Sequence, residues 1–214
     1  FVHPIRQAII AANDGQRDMN AVAGAIQANY EGDVFDRVIY TESHDEVANG
    51  KARVPEEITP GAADSPFSRQ RTALGAAMVF TSPGIPMLFQ GQEFLESGWF
   101  EDTRSLDWQK AQENAGLVTL YRDLIHLRRN YDGRTRGLTG QNTEILYLDD
   151  EQKLLAFHRW ELGGAGDDVL VIANFANEVH QEIPVPFPHP GRWYLRFNSA
   201  QPDYGLAAAE DQST

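Results

Sequence analysis

Residues 37–46 read Arg37-Val38-Ile39-Tyr40-Thr41-Glu42-Ser43-His44-Asp45-Glu46, and the join at Thr41 decides how the rest of the chain is read. The first half is a short β-branched and aromatic run, the composition of a strand. It breaks off into a histidine set among three acids. Where strands alternate with helices, the carboxyl end of a strand is the face that carries active sites. Upstream, Ile5, Ala8, Ile9 and Ala12 share one face of a short helix that Asn13-Asp14-Gly15 stops. Asp18 is placed to cap a second helix, whose stripe Met19, Val22, Ala23 and Ile26 has helical spacing. Gly32 stands where such a helix would end.

Downstream the same alternation continues. A Pro- and Gly-containing loop is expected over residues 47–64. Ser65-Pro66 then supplies an N-cap and a first-turn proline, and the helix runs through Arg71, Leu74, Ala77 and Met78 to about Phe80. Ser82-Pro83-Gly84 breaks it. Ile85-Pro86-Met87-Leu88-Phe89 reads as a short buried strand that opens into Gln90-Gly91-Gln92-Glu93. An aromatic-rich loop, 94–108, leads to the clearest helix, with Leu117, Leu120, Tyr121, Leu124, Ile125 and Leu127-Arg128 on its face and an end near Asn130, where the cations Arg128-Arg129 suit the helix dipole.

After residue 136 the texture changes to short strand-like runs at 144–148, 153–160, 169–175, 181–185 and 193–198. Gly163-Gly164-Ala165-Gly166-Asp167-Asp168 is a loop between two of them, and no helix follows it to make a phosphate cradle. The expected class is therefore α/β over 1–136, followed by an all-β part over 137–214. Residues 207–214 show no strand character and leave that part incomplete. With 42% hydrophobic and 23% charged residues the chain has a core to bury. It holds no run of ~20 apolar residues that would span a membrane, and its first residues are not a signal peptide. Phe1 in place of an initiator Met points to a longer parent chain. Zero cysteines exclude disulfides and thiolate ligands. A net charge of −13 argues against nucleic acid and anionic membranes as partners and suits a neutral one such as a sugar.

Among candidate chemistries, His44-Asp45 as a metal pair lacks converging ligands, because His3, His126, His158, His180 and His189 have no ligand spacing. Ala48-Asn49-Gly50-Lys51 is not a phosphate loop, since Ala52 stands where Ser or Thr is required. No Gly-x-Ser-x-Gly elbow supports a serine triad. Two carboxylates across a sugar suit glycoside chemistry, at roughly 5–5.5 Å in retaining enzymes, and spacing offers Asp45 with Glu93. The plain alternative is that these acids cap loops and face solvent.

Thr41-Glu42-Ser43-His44-Asp45-Glu46-Val47-Ala48-Asn49-Gly50-Lys51 resembles the fourth motif of the α-amylase superfamily, glycoside hydrolase family 13, in the form carried by 1,4-α-glucan branching-type members. Gly84 to Glu93 resembles the same family's eighth-strand motif, and Trp99-Phe100 with Leu106-Asp107-Trp108 resembles the loop that follows. The resemblance implies the last β/α units of a (β/α)8 TIM barrel, then an antiparallel β-sandwich domain. It gives Asp45 the role of a buried transition-state stabiliser and His44 that of a sugar hydrogen-bonder. It adds Glu46, Lys51 and Trp99 as substrate-binding residues, with Phe100 and Trp108 as further stacking candidates. Glu93 falls on a position without a catalytic role, which removes the Asp45–Glu93 pairing. The family's nucleophile and acid/base motifs would lie upstream of Phe1, and no Gly-x-Arg-x-Asp segment occurs, so the chain alone is expected to be inactive. The implied partner is an α-glucan, in the cytoplasm, with no cofactor and no metal. Two alternatives are an α-amylase-type hydrolase and a non-catalytic carbohydrate-binding or structural unit. Exposed barrel edges at Val38, Ile39, Met87 and Leu88 imply self-association.

Overall fold

A computed structural model describes residues 1–48 and 50–206; the expected strandless tail, 207–214, lies outside the described residues. Helix α1 (Val2–Ile10) buries Ile5, Ala8 and Ile9, while Ala12 falls beyond its end and is exposed. Helix α2 (Met19–Gln27) buries the whole expected stripe, and the Asp18 carboxylate accepts from the Ala21 amide as its cap. Strand β1 (Val38–Ile39) follows, then the short helices α3 (His44–Ala48) and α4 (Val54–Ile58). The stretch expected as plain loop, 47–64, thus holds a helix of its own.

Helix α5 (Pro66–Thr81) is capped by Ser65, whose hydroxyl accepts from the Ser68 amide. It is buried nearly all round because two apolar cores flank it. Met78 joins α1, α2 and α4 on one side, whereas Ala73, Ala76 and Phe80 join the far side. Leu74 and Ala77, expected on the buried face, are only partly covered. Strand β2 (Ile85–Pro86) runs parallel to β1, in register Val38↔Ile85 and Ile39↔Pro86. Both strands are shorter than their β-rich runs. Each has one pairing partner, and Pro86 has no amide to donate. Ile85 and Leu88 are exposed, so the expectation of a buried strand fails. The aromatic loop leads to α6 (Gln109–Glu113) and α7 (Ala115–Arg128), whose Leu117, Leu120, Tyr121 and Leu124 close the second core.

The tail forms one antiparallel sheet, β3 (Asn142–Asp149), β4 (Leu154–Trp160) and β5 (Val169–Asn174), in that order. Leu155, Phe157 and Phe175 face the first core, which joins the sheet to α1 and α2. The expected strands at 181–185 and 193–198 do not form. Pro184, with Pro186 and Pro188 just beyond it, removes donors at alternate positions, so one side of this stretch offers a neighbour no amides for a ladder. The segment 193–198 is β-prone but is left without that neighbour, and lies across a cavity of about 1320 Å³ from β5 and α5.

Buried arginines tie the elements together. The last carbonyls of a helix lack intrahelical donors and form its negative pole, and here guanidinium groups supply the donors. Arg17 and Arg71 both donate to Ala8 O at the end of α1. Arg37 donates to Ala25 O and Ile26 O of α2. Arg128 and Arg159 donate to the carbonyls of Ser82 and Thr81 at the end of α5. Arg128, expected to suit the dipole at the end of its own helix, instead caps another. Burial pushes Arg71 and Arg159 down to about 9 and Arg128 down to about 10. Among the described residues, no helix is long and apolar enough to cross a membrane.

Candidate active site

The turn that carries His44 and Asp45 is built on three buried residues. Thr41, Glu42 and Ser43 are closed to solvent, whereas the His44 and Asp45 side chains are 69% and 77% exposed. Ser43 starts α3: its hydroxyl accepts from the Glu46 amide at 3.2 Å and its carbonyl from the Val47 amide at 3.1 Å. This cap turns the chain sharply after β1 and places His44 and Asp45 on the outer side of the first helical turn. His44 Nε2 lies 3.3 Å from Asp45 Oδ1. The expected burial of Asp45 is therefore corrected. It stands at the rim, with the buried carboxylate three residues earlier.

That buried group is Glu42. Its Oε1 accepts from the Val54 amide at 2.5 Å, and its Oε2 lies 3.4 Å from Arg53 Nη1. Burial pushes its carboxyl up, against the pull of Arg53, the Val54 amide and Arg6; Glu57 pushes it further up. Arg6 reaches the same loop from α1, donating to Thr41 O at 2.9 Å and Ala52 O at 2.6 Å and pairing with Glu57 at 2.9 Å. Gln92 donates to the Thr41 hydroxyl at 2.6 Å.

The other expected residues divide. Lys51 Nζ pairs with Glu46 Oε2 at 3.0 Å, which closes the loop on itself. Trp99 is exposed beside the turn: Gly98 O before it accepts from the Arg53 amide, and the Phe100 amide after it donates to Val47 O. Trp108 is also exposed and rests on Phe94. Glu93 points elsewhere. Its Oε2 is buried without a hydrogen-bond partner; burial, followed by the charges of Glu42 and Glu93, raises the Tyr121 phenol well above its ordinary value. Sequence reasoning missed Glu42, Arg53, Arg6 and Glu57. The only signal was an acid wedged between Thr41 and Ser43 at the end of an apolar strand.

Chemically, the turn offers an imidazole and a carboxylate that can hold sugar hydroxyls, beside an exposed indole that can stack on a ring. The neighbouring carboxylates, Glu42 and Glu46, are occupied by Arg53 and Lys51. Among the described residues no group of three or more His, Asp or Glu side chains converges to hold a metal.

Residues 147–213 match the family model of the alpha amylase C-terminal all-beta domain. Over 171 residues, 76% of this chain, the sequence is 34% identical to a 1,4-alpha-glucan branching enzyme GlgB of Rhodopseudomonas palustris (strain BisB5), of which it spans 23%. It is 33% identical over 170 residues to the enzyme of the same name from Novosphingobium aromaticivorans, covering 76% of this chain and 22% of that one. The chain thus spans under a quarter of these curated relatives. In fold it is similar to the apo pullulanase of Paenibacillus barengoltzii, with a TM-score of 0.62 at 20% identity over 92% of this chain and 34% of that one. A pullulanase of Anoxybacillus sp. LM18-11, solved with maltotetraose, matches 80% of this chain and 26% of its own with a TM-score of 0.60 at 20% identity. By these matches residues 147–213 are similar to the alpha amylase C-terminal all-beta domain, and the chain as a whole is similar in sequence to part of the branching enzymes and in fold to part of the pullulanases.

Proposed function

We propose that the chain is part of an α-glucan-active retaining enzyme, a 1,4-α-glucan branching enzyme in which residues 1–136 are the last units of a (β/α)8 barrel and 137–214 the all-β domain. The observation that carries this reading is the His44–Asp45 pair, exposed on a turn whose stem is buried, in a chain whose curated relatives are named branching enzymes. Asp45 stabilises the oxocarbenium-like transition state by gripping sugar hydroxyls, and His44 hydrogen-bonds the same sugar. A contact that tightens as the ring flattens raises turnover, because it binds the transition state more strongly than the ground state. Lys51 and Trp99 contact the glucan at the rim, and Glu46 acts there through Lys51. The nucleophile and the general acid come from the rest of the parent protein, so this chain alone turns over no glucan.

The parent would work in the cytoplasm on a glucan whose cleaved end passes to a sugar 6-hydroxyl. The half-exposed Val38 and Ile85, with Leu88, give the isolated chain an apolar strip through which it self-associates. The test of the reaction is amylose treated with the full-length protein. Branching shifts the iodine absorbance while reducing ends stay constant, since each cleaved bond is replaced by a new one. A rise in reducing ends would identify water as the acceptor and overturn branching in favour of hydrolysis. No change in either would overturn the enzymatic reading.

A further inference from the structure

We infer that Glu42 and Arg53 are positioning residues that lock the stem of the His44–Asp45 turn to the end of the neighbouring strand; the catalytic consequence rests on the function proposed above, the geometry does not. The Arg53 guanidinium is buried where three segments meet. Its Nη1 faces Glu42 Oε2 and also donates to Gln90 O at 3.0 Å, just past β2. Its carbon lies 4.7 Å from the centre of the Phe89 ring, and Phe89 packs edge-on against Phe100 at 5.3 Å. Its own amide donates to Gly98 O at 2.8 Å. Arg53 therefore touches the ends of β1 and β2 through its side chain and the aromatic loop through its backbone amide.

The stem is closed twice. Arg6 ties Thr41 O to Ala52 O, and Glu42 ties its own position to Val54 and Arg53. Residues 43–51, with His44 and Asp45 near their start, emerge from this double clasp. Removing two charges from water is costly, and an apolar pair of the same shape would often stabilise as well or better. What an apolar pair does not provide is direction. A carboxylate with both oxygens engaged and a guanidinium with partners at the ends of both strands fix the angle at which the chain leaves β1. Three residues later that angle sets where the Asp45 carboxylate stands, and about 1 Å of misplacement is enough to cost roughly 10²-fold in rate.

The experiment combines two readouts on Glu42→Gln and on Val54→Pro. The second variant removes the amide donor to Glu42 Oε1 at the first position of α4, where proline is tolerated; because the Val54 side chain also lies in the first core, Val54→Ala, which keeps the amide, is its control and should leave exchange at Glu46 and Val47 unchanged. In the 214-residue chain, amide hydrogen exchange at Glu46 and Val47 should quicken about tenfold in both variants, while Leu124 in α7 keeps its protection, for an opening confined to one unit. In the full-length protein, kcat on amylose should fall about 10²-fold with KM nearly unchanged. Unchanged exchange at Glu46 and Val47, or equal quickening at Leu124, would overturn the positioning role. Asp45→Asn is the separate control: if it left kcat intact the functional reading would fall, while the exchange data would still decide whether Glu42 and Arg53 set the turn.

Discussion

At the scale of single residues, the groups that meet solvent and the groups that hold them in place sit side by side in the sequence. Asp45→Asn keeps the shape of the turn and removes the charge, so under the proposed function kcat should drop about 10²–10³-fold, the usual cost of one transition-state electrostatic contact, with KM little changed. Steady-state kinetics of the full-length variant on amylose check it. Asp167 gives a prediction about pH. Its oxygens accept from the amides of Glu161, Leu162 and Gly163. Burial alone would raise its carboxyl; the three amides, helped by the charge of Arg136, outweigh burial and hold it below its ordinary value. A carboxyl depressed in the folded state adds stability that is present above its unfolded value, ~3.9, and is lost as pH falls through the lower folded value. Asp167→Asn should therefore be less stable than the parent by roughly 1–2 kcal/mol at pH 7. Urea melts taken at decreasing pH should show the gap closing below about pH 4.

Elements were legible wherever one local rule acted alone. The stripe of α2, the Asp18 cap, the Ser65-Pro66 start of α5 and the three runs that became β3, β4 and β5 all formed as read. The failures have a common cause in partners the sequence does not display. Val38 and Ile39 pair on one side only, so the strand stops at two residues. Residues 193–198 have strand chemistry but face a proline-punctuated neighbour. The candidate site divided the same way: His44, Asp45 and Trp99 were visible as chemistry after a strand, although Asp45 was expected buried and stands exposed. Arg53 lies inside the stretch read as plain loop, and nothing local shows that it reaches Gln90 O and Glu42. Helix α7 supplies a test of element packing. A Cβ added at Gly116 would strike the backbone of Tyr204, whose hydroxyl bonds Asp123 on the same helix. Gly116→Ala should lift the 202–204 turn from α7 and cost about 1–3 kcal/mol by overpacking. A lower urea midpoint, with faster tryptic cleavage after Arg192 and Arg196, would report it; an unchanged midpoint would mean the turn yields freely.

On the scale of the whole molecule, two features act on association in opposite senses. The strip of Val38, Ile85 and Leu88 beside two-residue strands is a template for pairing. Light scattering on the 23.9 kDa chain should find a dimer or larger at micromolar concentration, and Val38→Lys with Leu88→Lys should return it to monomer. A monomeric parent chain would show that the strip needs no cover. The arginines that cap helix ends have a second effect, on charge. Their positive charges lie inside while most of the carboxylates lie outside, so the layer that water meets is more acidic than the formal −13 conveys. Two such particles repel each other in dilute buffer. Salt shortens the reach of that repulsion to about 10 Å at 0.1 M and 3 Å at 1 M, and the apolar strips then come into play. Association should therefore strengthen as salt is added, the reverse of a complex held by ion pairs, and the chain should bind an anion exchanger more tightly than its summed charge would suggest.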